Sequence, residues 1–99
     1  MVQINWTLLA KSDLKNIFDY IAFDSKYYAK KTILEIRDET QILKKFPQIG
    51  RVIPEIGNEH FREIIYGNYR IMYKLVSKER IDLLTIFHSS RNFKSDKLK

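Results

Sequence analysis

The chain has 99 residues, 44% of them hydrophobic and 13% aromatic, so it is long enough for one small core and too apolar for a disordered protein. It has no cysteine and only two histidines, which excludes a disulfide framework and a cysteine-type metal site; we expect neither a metal nor a cofactor. Eighteen basic and twelve acidic residues give a net charge of +6, as in proteins that bind nucleic acid, anionic lipid or an acidic partner.

No apolar run is long enough to cross a bilayer, and the N-terminus lacks a basic region followed by a hydrophobic one. We therefore expect a cytoplasmic protein with no contact to the membrane. No repeat and no Gly/Ser-rich linker interrupts the chain, which predicts a single domain over residues 1–99. The last residues, about 93–99, are basic and are expected to form a mobile tail.

The first elements are a short strand and a helix. Val2, Ile4 and Trp6 alternate with polar residues, which predicts the strand. Thr7 can cap a helix that begins near Leu8. The apolar positions of this helix recur at helical spacing and predict one buried stripe, formed by Leu14, Ile17, Phe18 and Ile21.

A second helix is predicted from about Lys26 to Phe46, with Ser25 as its cap and Pro47 as its end, because proline disfavours helical geometry in the preceding residue. Its inner stripe is predicted to be Ala29, Ile33, Ile36, Thr40 and Leu43. The break between the two helices is short, so they are expected to form an antiparallel hairpin.

The second half of the chain is predicted to be β-structure. Residues 50–61 are interpreted as a loop, and the pair Gly67-Asn68 as a two-residue hairpin turn between two strands. A last strand is expected from about Arg80 to Phe87, as a central or penultimate strand of the sheet. The order is therefore β-α-α-β-β-β, an α+β fold with a helical hairpin packed on a small antiparallel sheet.

A two-residue turn at Gly67-Asn68 also predicts which residues share a face of the sheet. One face would carry Glu63, Ile65, Arg70, Met72 and Lys74. The other would carry Arg62, Ile64, Ile71 and Tyr73, and its apolar character predicts that the helices pack there. A three-residue loop would shift the register by one and reverse both assignments.

Five segments resemble, in order and spacing, the RelE/ParE superfamily of bacterial toxins. They are W-T-x-x-A-x-x-D-L-x-x-I-x-x-Y-I from Trp6, F-P-x-I-G-R-x-x-P-E from Phe46, F-R-E-I from Phe61, Y-R-I-M-Y from Tyr69 and H-S-S-R-N from His88. The resemblance covers nearly the whole chain and is nearest to the ParE-like, plasmid-stabilisation branch. It implies a type II toxin that assembles with a cognate antitoxin, which wraps an extended or helical segment around it. Some members cleave mRNA on the ribosome, whereas ParE proper poisons DNA gyrase.

The resemblance to the ribonuclease members implies three catalytic candidates. Arg70, on a strand, would stabilise the transition-state charge, since its guanidinium presents a fixed fork to phosphate oxygens. His88 would protonate the leaving 5′-oxygen, and Glu55 would take the proton of the ribose 2′-hydroxyl. The alternative interpretations are an ion pair between Arg70 and Glu63, a packing role for His88 on the strand face of Leu84 and Ile86, and a solvated loop acid at position 55.

Certain positions depart from the ribonuclease pattern. RelE-like members carry lysines on the strand before the hairpin turn, where this chain has Phe61 and Glu63. Many also have a tyrosine near the histidine, where Ser89 and Ser90 follow here. These differences favour a ParE-like gyrase inhibitor over a ribosome-dependent mRNA endonuclease. The composition and the resemblance are also compatible with a non-catalytic domain that binds nucleic acid, or with an inactive toxin.

The remaining candidates are binding residues. Arg91, Lys74, Arg51 and Arg62 are predicted to contact nucleic acid or the toxin's target. If they are structural instead, Arg62 would pair with a helix acid and Arg51 would bind carbonyls in its turn. The resemblance also implies an antitoxin groove beside the helical hairpin and the sheet edge, where exposed apolar residues would lie, among them Tyr20, Phe23, Tyr27 and Tyr28.

Overall fold

The computed structural model describes residues 1–89, so Arg91 and the predicted tail at 93–99 lie outside the described residues. Two helices pack on a five-stranded sheet. The elements are β1 (Gln3–Trp6), α1 (Leu8–Ala22), α2 (Lys26–Gln41), β2 (Arg51–Val52), β3 (Phe61–Tyr66), β4 (Tyr69–Leu75) and β5 (Arg80–His88). The predicted β-α-α-β-β-β order is confirmed, with one addition: the two-residue strand β2 lies in the segment that was predicted to be all loop.

The strands lie in the order β1-β5-β4-β3-β2, so β5 is the penultimate strand, as expected. Strand β1 pairs with β5 in parallel, and the other neighbours are antiparallel. The sheet is therefore mixed, which corrects the antiparallel expectation at this one edge. Parallel partners need a long connection, and the whole helical hairpin lies between β1 and the other strands.

Both helices begin at the predicted caps. The side chain of Thr7 accepts a hydrogen bond from the Ala10 N–H at 3.1 Å, and that of Ser25 accepts one from the Tyr28 N–H at 3.2 Å. Helix α2 ends at Gln41 and continues as a 3₁₀ turn over Ile42–Lys44, so the α-helix is shorter than predicted. Its buried positions include Ala29, Ile36, Thr40 and, in the 3₁₀ turn, Leu43, all from the predicted stripe.

The β3–β4 hairpin has the predicted two-residue turn. Ile65 lies opposite Arg70 and Glu63 opposite Met72, and Gly67 has a φ of +55°, which a primed turn requires at its first central position. Ile71 and Tyr73 belong to the apolar core that also contains Ala10, Ile36, Leu43, Ile81, Leu83 and Ile86. The helices therefore pack on the predicted face, which we call the helix face; the other is called the open face.

Strand β5 contains an irregularity that the sequence pattern does not reveal. The register with β4 shifts between Met72 and Tyr73, which pair with Thr85 and Leu83 and leave Leu84 between them. The core contains Leu83 and Ile86, whereas strict alternation would have grouped Leu84 with Ile86 and His88. The expectation that Leu84 shares their face was therefore wrong, because the bulge interrupts the period of two.

Two side chains near the start of α1 are bound to this bulge. The Thr7 hydroxyl contacts the Leu83 carbonyl at 2.8 Å, and the Asp13 carboxylate accepts hydrogen bonds from the Thr85 hydroxyl and, at 3.1 Å, the Ile86 N–H. The carboxylate thus satisfies polar groups at the bulge, where the regular ladder is disrupted. These bonds tie the first turns of the helical hairpin to β5.

Candidate functional site

The open face is organised around one buried carboxylate. Glu63 of β3 is 1% exposed, and its two oxygens accept hydrogen bonds from the Nε atoms of Arg51 and Arg70, at 2.6 and 2.7 Å. The ion pair between Arg70 and Glu63, given above as the alternative to a catalytic role, is present. Arg51 binds this carboxylate rather than the carbonyls of its turn, the structural alternative given above, because β2 pairs Arg51 directly opposite Glu63 and a charged acceptor within reach binds more strongly than a carbonyl.

Glu55 extends this chain of charges from the loop between β2 and β3. Its two oxygens accept hydrogen bonds from Nη1 and Nη2 of Arg70, both at 2.7 Å, so the guanidinium binds the carboxylate through two parallel bonds. These hydrogen bonds lower the pKa of Glu55 from 4.5 to about 2. The same contact, with that to Glu63, raises the pKa of Arg70. A carboxylate with such a low pKa is a weak base, so it is poorly suited to remove a proton from a ribose hydroxyl.

His88 lies on the other side of the sheet from Arg70. In the β4–β5 ladder Arg70 pairs with Phe87 and Tyr69 pairs with His88, so the side chains of Arg70 and His88 point to opposite faces. The His88 ring contacts the Tyr69 ring edge to face, with centroids 5.4 Å apart, and Tyr69 packs against the core. The structure thus brings Glu55 and Arg70 together and separates His88 from both.

The other predicted cations within the described residues have local partners. Arg62 donates to the carbonyls of Gly50 and Glu59, both at 3.0 Å, which corrects the expectation of a helix acid. The reason is that the segment between α2 and β2 passes beside Arg62 and offers acceptors there. Lys74 lies over the Phe61 ring, with its Nζ 5.4 Å from the ring centroid. Of Arg51, Arg62 and Lys74, Arg51 is the most exposed.

Gly50 and Tyr73 were not among the predicted site residues. The buried Tyr73 hydroxyl donates to the Pro47 carbonyl at 2.8 Å and accepts the Gly50 N–H at 3.0 Å. A Cβ atom at position 50 would lie 2.6 Å from both this hydroxyl and the Glu63 carbonyl oxygen. Tyr73 therefore fixes the turn that positions Arg51 opposite Glu63. The F-P-x-I-G-R motif indicates that the turn around Gly50 is important. It does not indicate which strand residue forms hydrogen bonds with that turn.

Large apolar side chains are exposed in two places. At the turn between α1 and α2, Tyr20, Phe23, Tyr27 and Tyr28 are 59–92% exposed, and we call these four residues the hairpin-tip patch. Beside the β2–β3 edge, Ile42, Phe46, Ile49 and Ile65 line two surface pockets of about 360 and 340 Å³ that share Ile49, and we call this region the edge groove. Exposed apolar groups of this extent are typical of protein-binding surfaces.

Residues 1–89 contain no group of three or more His, Asp or Glu side chains arranged to hold a metal ion. Within the same residues no helix is long and apolar enough to span a membrane.

The fold, a helical hairpin on one face of a five-stranded mixed sheet, is that of a solved toxin–antitoxin protein. The chain is similar to one from the structure titled "Chromosomal ParDE TA system from P. aeruginosa", with a TM-score of 0.72 and 22% sequence identity over 89% of this chain and 96% of that one. Residues 4–93 match the family described as the ParE toxin of the type II toxin-antitoxin system, parDE, so the chain belongs to the ParE toxin family. The sequence has no match among curated proteins.

Proposed function

We propose that this ParE-family toxin acts in the cytoplasm, where it arrests bacterial growth by inhibiting DNA gyrase and is neutralised by a cognate antitoxin with which it assembles. Membership of the ParE family over residues 4–93 supports both parts of the proposal. The choice of gyrase over mRNA rests on the geometry of Glu55, Arg70 and His88.

Ribonuclease chemistry needs a base, a cation and an acid around one phosphate. Here Arg70 binds Glu55 and Glu63 on the open face, and His88 packs against Tyr69 on the helix face. A phosphate at the Arg70 guanidinium would have to displace Glu55, and His88 would still lie across the sheet. The three candidates therefore do not converge on one reacting group, and this observation carries the proposal.

The antitoxin is proposed to bind the hairpin-tip patch and the edge groove. Both surfaces are apolar and exposed, and the groove lies beside β3, which β2 covers only at Arg62 and Glu63. Residues Ile64–Tyr66 of β3 thus lie beyond the part of the strand that β2 pairs. An extended antitoxin segment could pair with the strand there while its apolar side chains fill the groove.

The target test is inducible expression in bacteria, with DNA and protein synthesis pulse-labelled separately in the first minutes. We expect DNA synthesis to fall first, with cleaved chromosomal DNA and intact mRNA. Purified protein should inhibit supercoiling by purified gyrase. If protein synthesis falls first and mRNA is cut at defined positions, the toxin is a ribosome-dependent endonuclease and the gyrase proposal is wrong. If cells keep growing, the chain is not a toxin under these conditions.

The antitoxin surface is tested with the double variant Tyr20→Ser/Phe23→Ser. Both side chains are exposed at the hairpin tip, so we expect the fold to be retained and growth to be arrested. Co-expression of the cognate antitoxin should rescue the wild type but not this variant. The matched control is Lys15→Ser on the same helix, which is exposed and outside the patch. Equal rescue of both variants would exclude the patch from the antitoxin interface.

A further inference from the structure

The two carboxylates bound by Arg70 are held in different ways. Glu63 is in the middle of β3 and its side chain is 0% exposed, so it cannot leave without disrupting the sheet. Glu55 is in the turn at 54–56, and its side chain is 37% exposed. Moving the Glu55 side chain into water breaks no strand pairing. Arg51, Glu63, Arg70 and Glu55 form one ion-pair network. Glu55 is the member of this network that an outside ligand can replace.

Arg70 would keep its orientation if Glu55 left. Its side chain is 12% exposed, it projects from β4, and its Nε is bound to the buried carboxylate of Glu63 at 2.7 Å. The Nη1 and Nη2 atoms, which now bind Glu55, would remain pointed at the same place. A cation fixed in this way loses little conformational entropy when it binds an oxyanion, which favours binding.

The charges of the network indicate which anion fits. Among the described residues 1–89, Arg51 and Arg70 balance Glu55 and Glu63, so displacement of Glu55 leaves one net positive charge on these four side chains. A ligand with a single negative charge restores the balance, whereas the buried charge of Glu63 opposes a second one. The group now bound is a carboxylate, with two hydrogen bonds of 2.7 Å, so the site already has the geometry for this ligand.

We infer that the Nη1–Nη2 side of Arg70 is a binding site for a carboxylate of a protein partner, and that Glu55 occupies it as an internal competitor in the free protein. The partner's aspartate or glutamate would replace Glu55 on Arg70. Ile65, exposed and paired with Arg70 across the hairpin, would supply an apolar contact beside it. The inference concerns this site alone and does not depend on gyrase being the target.

The test is a titration followed by NMR on the Arg70 side-chain N–H signals, with acetate as the carboxylate probe at constant ionic strength. The variant Glu55→Ala removes the internal competitor. We expect it to bind acetate about tenfold or more tightly than the wild type, since an intramolecular ligand acts at a high effective concentration. The matched control is Glu59→Ala, which removes an equal charge from an exposed position of the same loop and should titrate like the wild type.

The outcomes of this titration are distinct. If the Arg70 signals of Glu55→Ala do not saturate with acetate, or if Glu59→Ala gains as much affinity, the inference is wrong. Dimethyl phosphate, also a monoanion, is the second probe. If it binds more tightly than acetate, the inference is wrong and the site's ligand is a nucleic-acid phosphate instead of a protein carboxylate. If the backbone NMR signals of β3 and β4 show that Glu55→Ala does not fold, the titration is repeated with Glu55→Gln. This variant has a side chain of similar size and no charge.

Discussion

The two faces of the β3–β4 hairpin are stabilised in different ways. On the helix face, Ile71 is fully buried in an apolar core whose contacts have no directional requirement. On the open face, Glu63 is equally buried but depends on two arginines at fixed distances. Side chains alternate along a strand, so two adjacent residues of β4 lie in different environments. Arg70 belongs to the ion pairs of the open face, and Ile71 to the apolar core of the helix face.

This difference affects both stability and function. An apolar core tolerates changes of shape at a moderate cost, whereas a buried charge that loses its partner is strongly destabilising. Under the function and the inference proposed above, Arg70 therefore has a structural role and exchanges one carboxylate for another. The same face in a ribonuclease would have to leave the arginine available to a phosphate.

The largest effect is expected for the helix face. Ile71→Ala removes a fully buried side chain and should lower the free energy of unfolding by about 4 kcal/mol, through lost apolar burial and a cavity. The loss, measured by urea denaturation, should be the same at about 0.1 and 1 M salt, since no charge is involved. A strong salt dependence would mean that the two faces are not energetically distinct.

On the open face, Glu63→Ala should lower the free energy of unfolding by about 3 kcal/mol, because it leaves the little-exposed Arg70 without its buried partner. Arg51→Ala is the control: Arg51 binds the same carboxylate but is 60% exposed, so its loss should cost about 0.5 kcal/mol. Urea denaturation of both variants gives the comparison. Equal costs would contradict a network centred on Glu63 and Arg70.

Gly50→Ala tests the turn that packs against both Glu63 of the open face and Tyr73 of the helix face. The new Cβ would lie 2.6 Å from the Glu63 carbonyl oxygen and the Tyr73 hydroxyl, so the turn or the strand must move, at a cost of about 2 kcal/mol. Gly57→Ala is the comparison, with open space around its Cβ but a φ of +68°, and should cost about 1 kcal/mol. Thermal denaturation ranks the two. If Gly50→Ala destabilises the protein less than Gly57→Ala, the turn at Gly50 is not tightly packed.

The smallest effect concerns the exposed end of the network and depends on pH. Because Arg70 lowers the pKa of Glu55 to about 2 in the folded protein, the ionised carboxylate stabilises the fold above pH 4.5. This contribution is lost as the pH falls from 4.5 towards 2. The difference in unfolding free energy between wild type and Glu55→Ala should therefore be constant above about pH 5 and shrink below it. A difference that stays constant down to pH 2 would mean that Glu55 and Arg70 are not paired in solution.

Several features could be predicted because their causes are local. The Gly67-Asn68 turn sets the register of β3 and β4, and that register pairs Glu63 with Met72 and brings Arg70 diagonally beside it. Thr7 and Ser25 cap their helices through residues three positions further along. The exposed tyrosines and phenylalanine of the helical hairpin stand out because they fall outside both apolar stripes.

The sequence by itself thus determined the order of the elements, the helix caps and the two faces of the β3–β4 hairpin, since each depends on neighbours in the chain. The tertiary structure alone decided that β1 joins β5 in parallel, that a bulge leaves Leu84 between paired residues, and that Arg62 binds carbonyls. It also decided that Glu55 and Arg70 meet while His88 faces away. These outcomes depend on segments far apart in the chain, whose distances and hydrogen-bond partners exist only after the chain has folded.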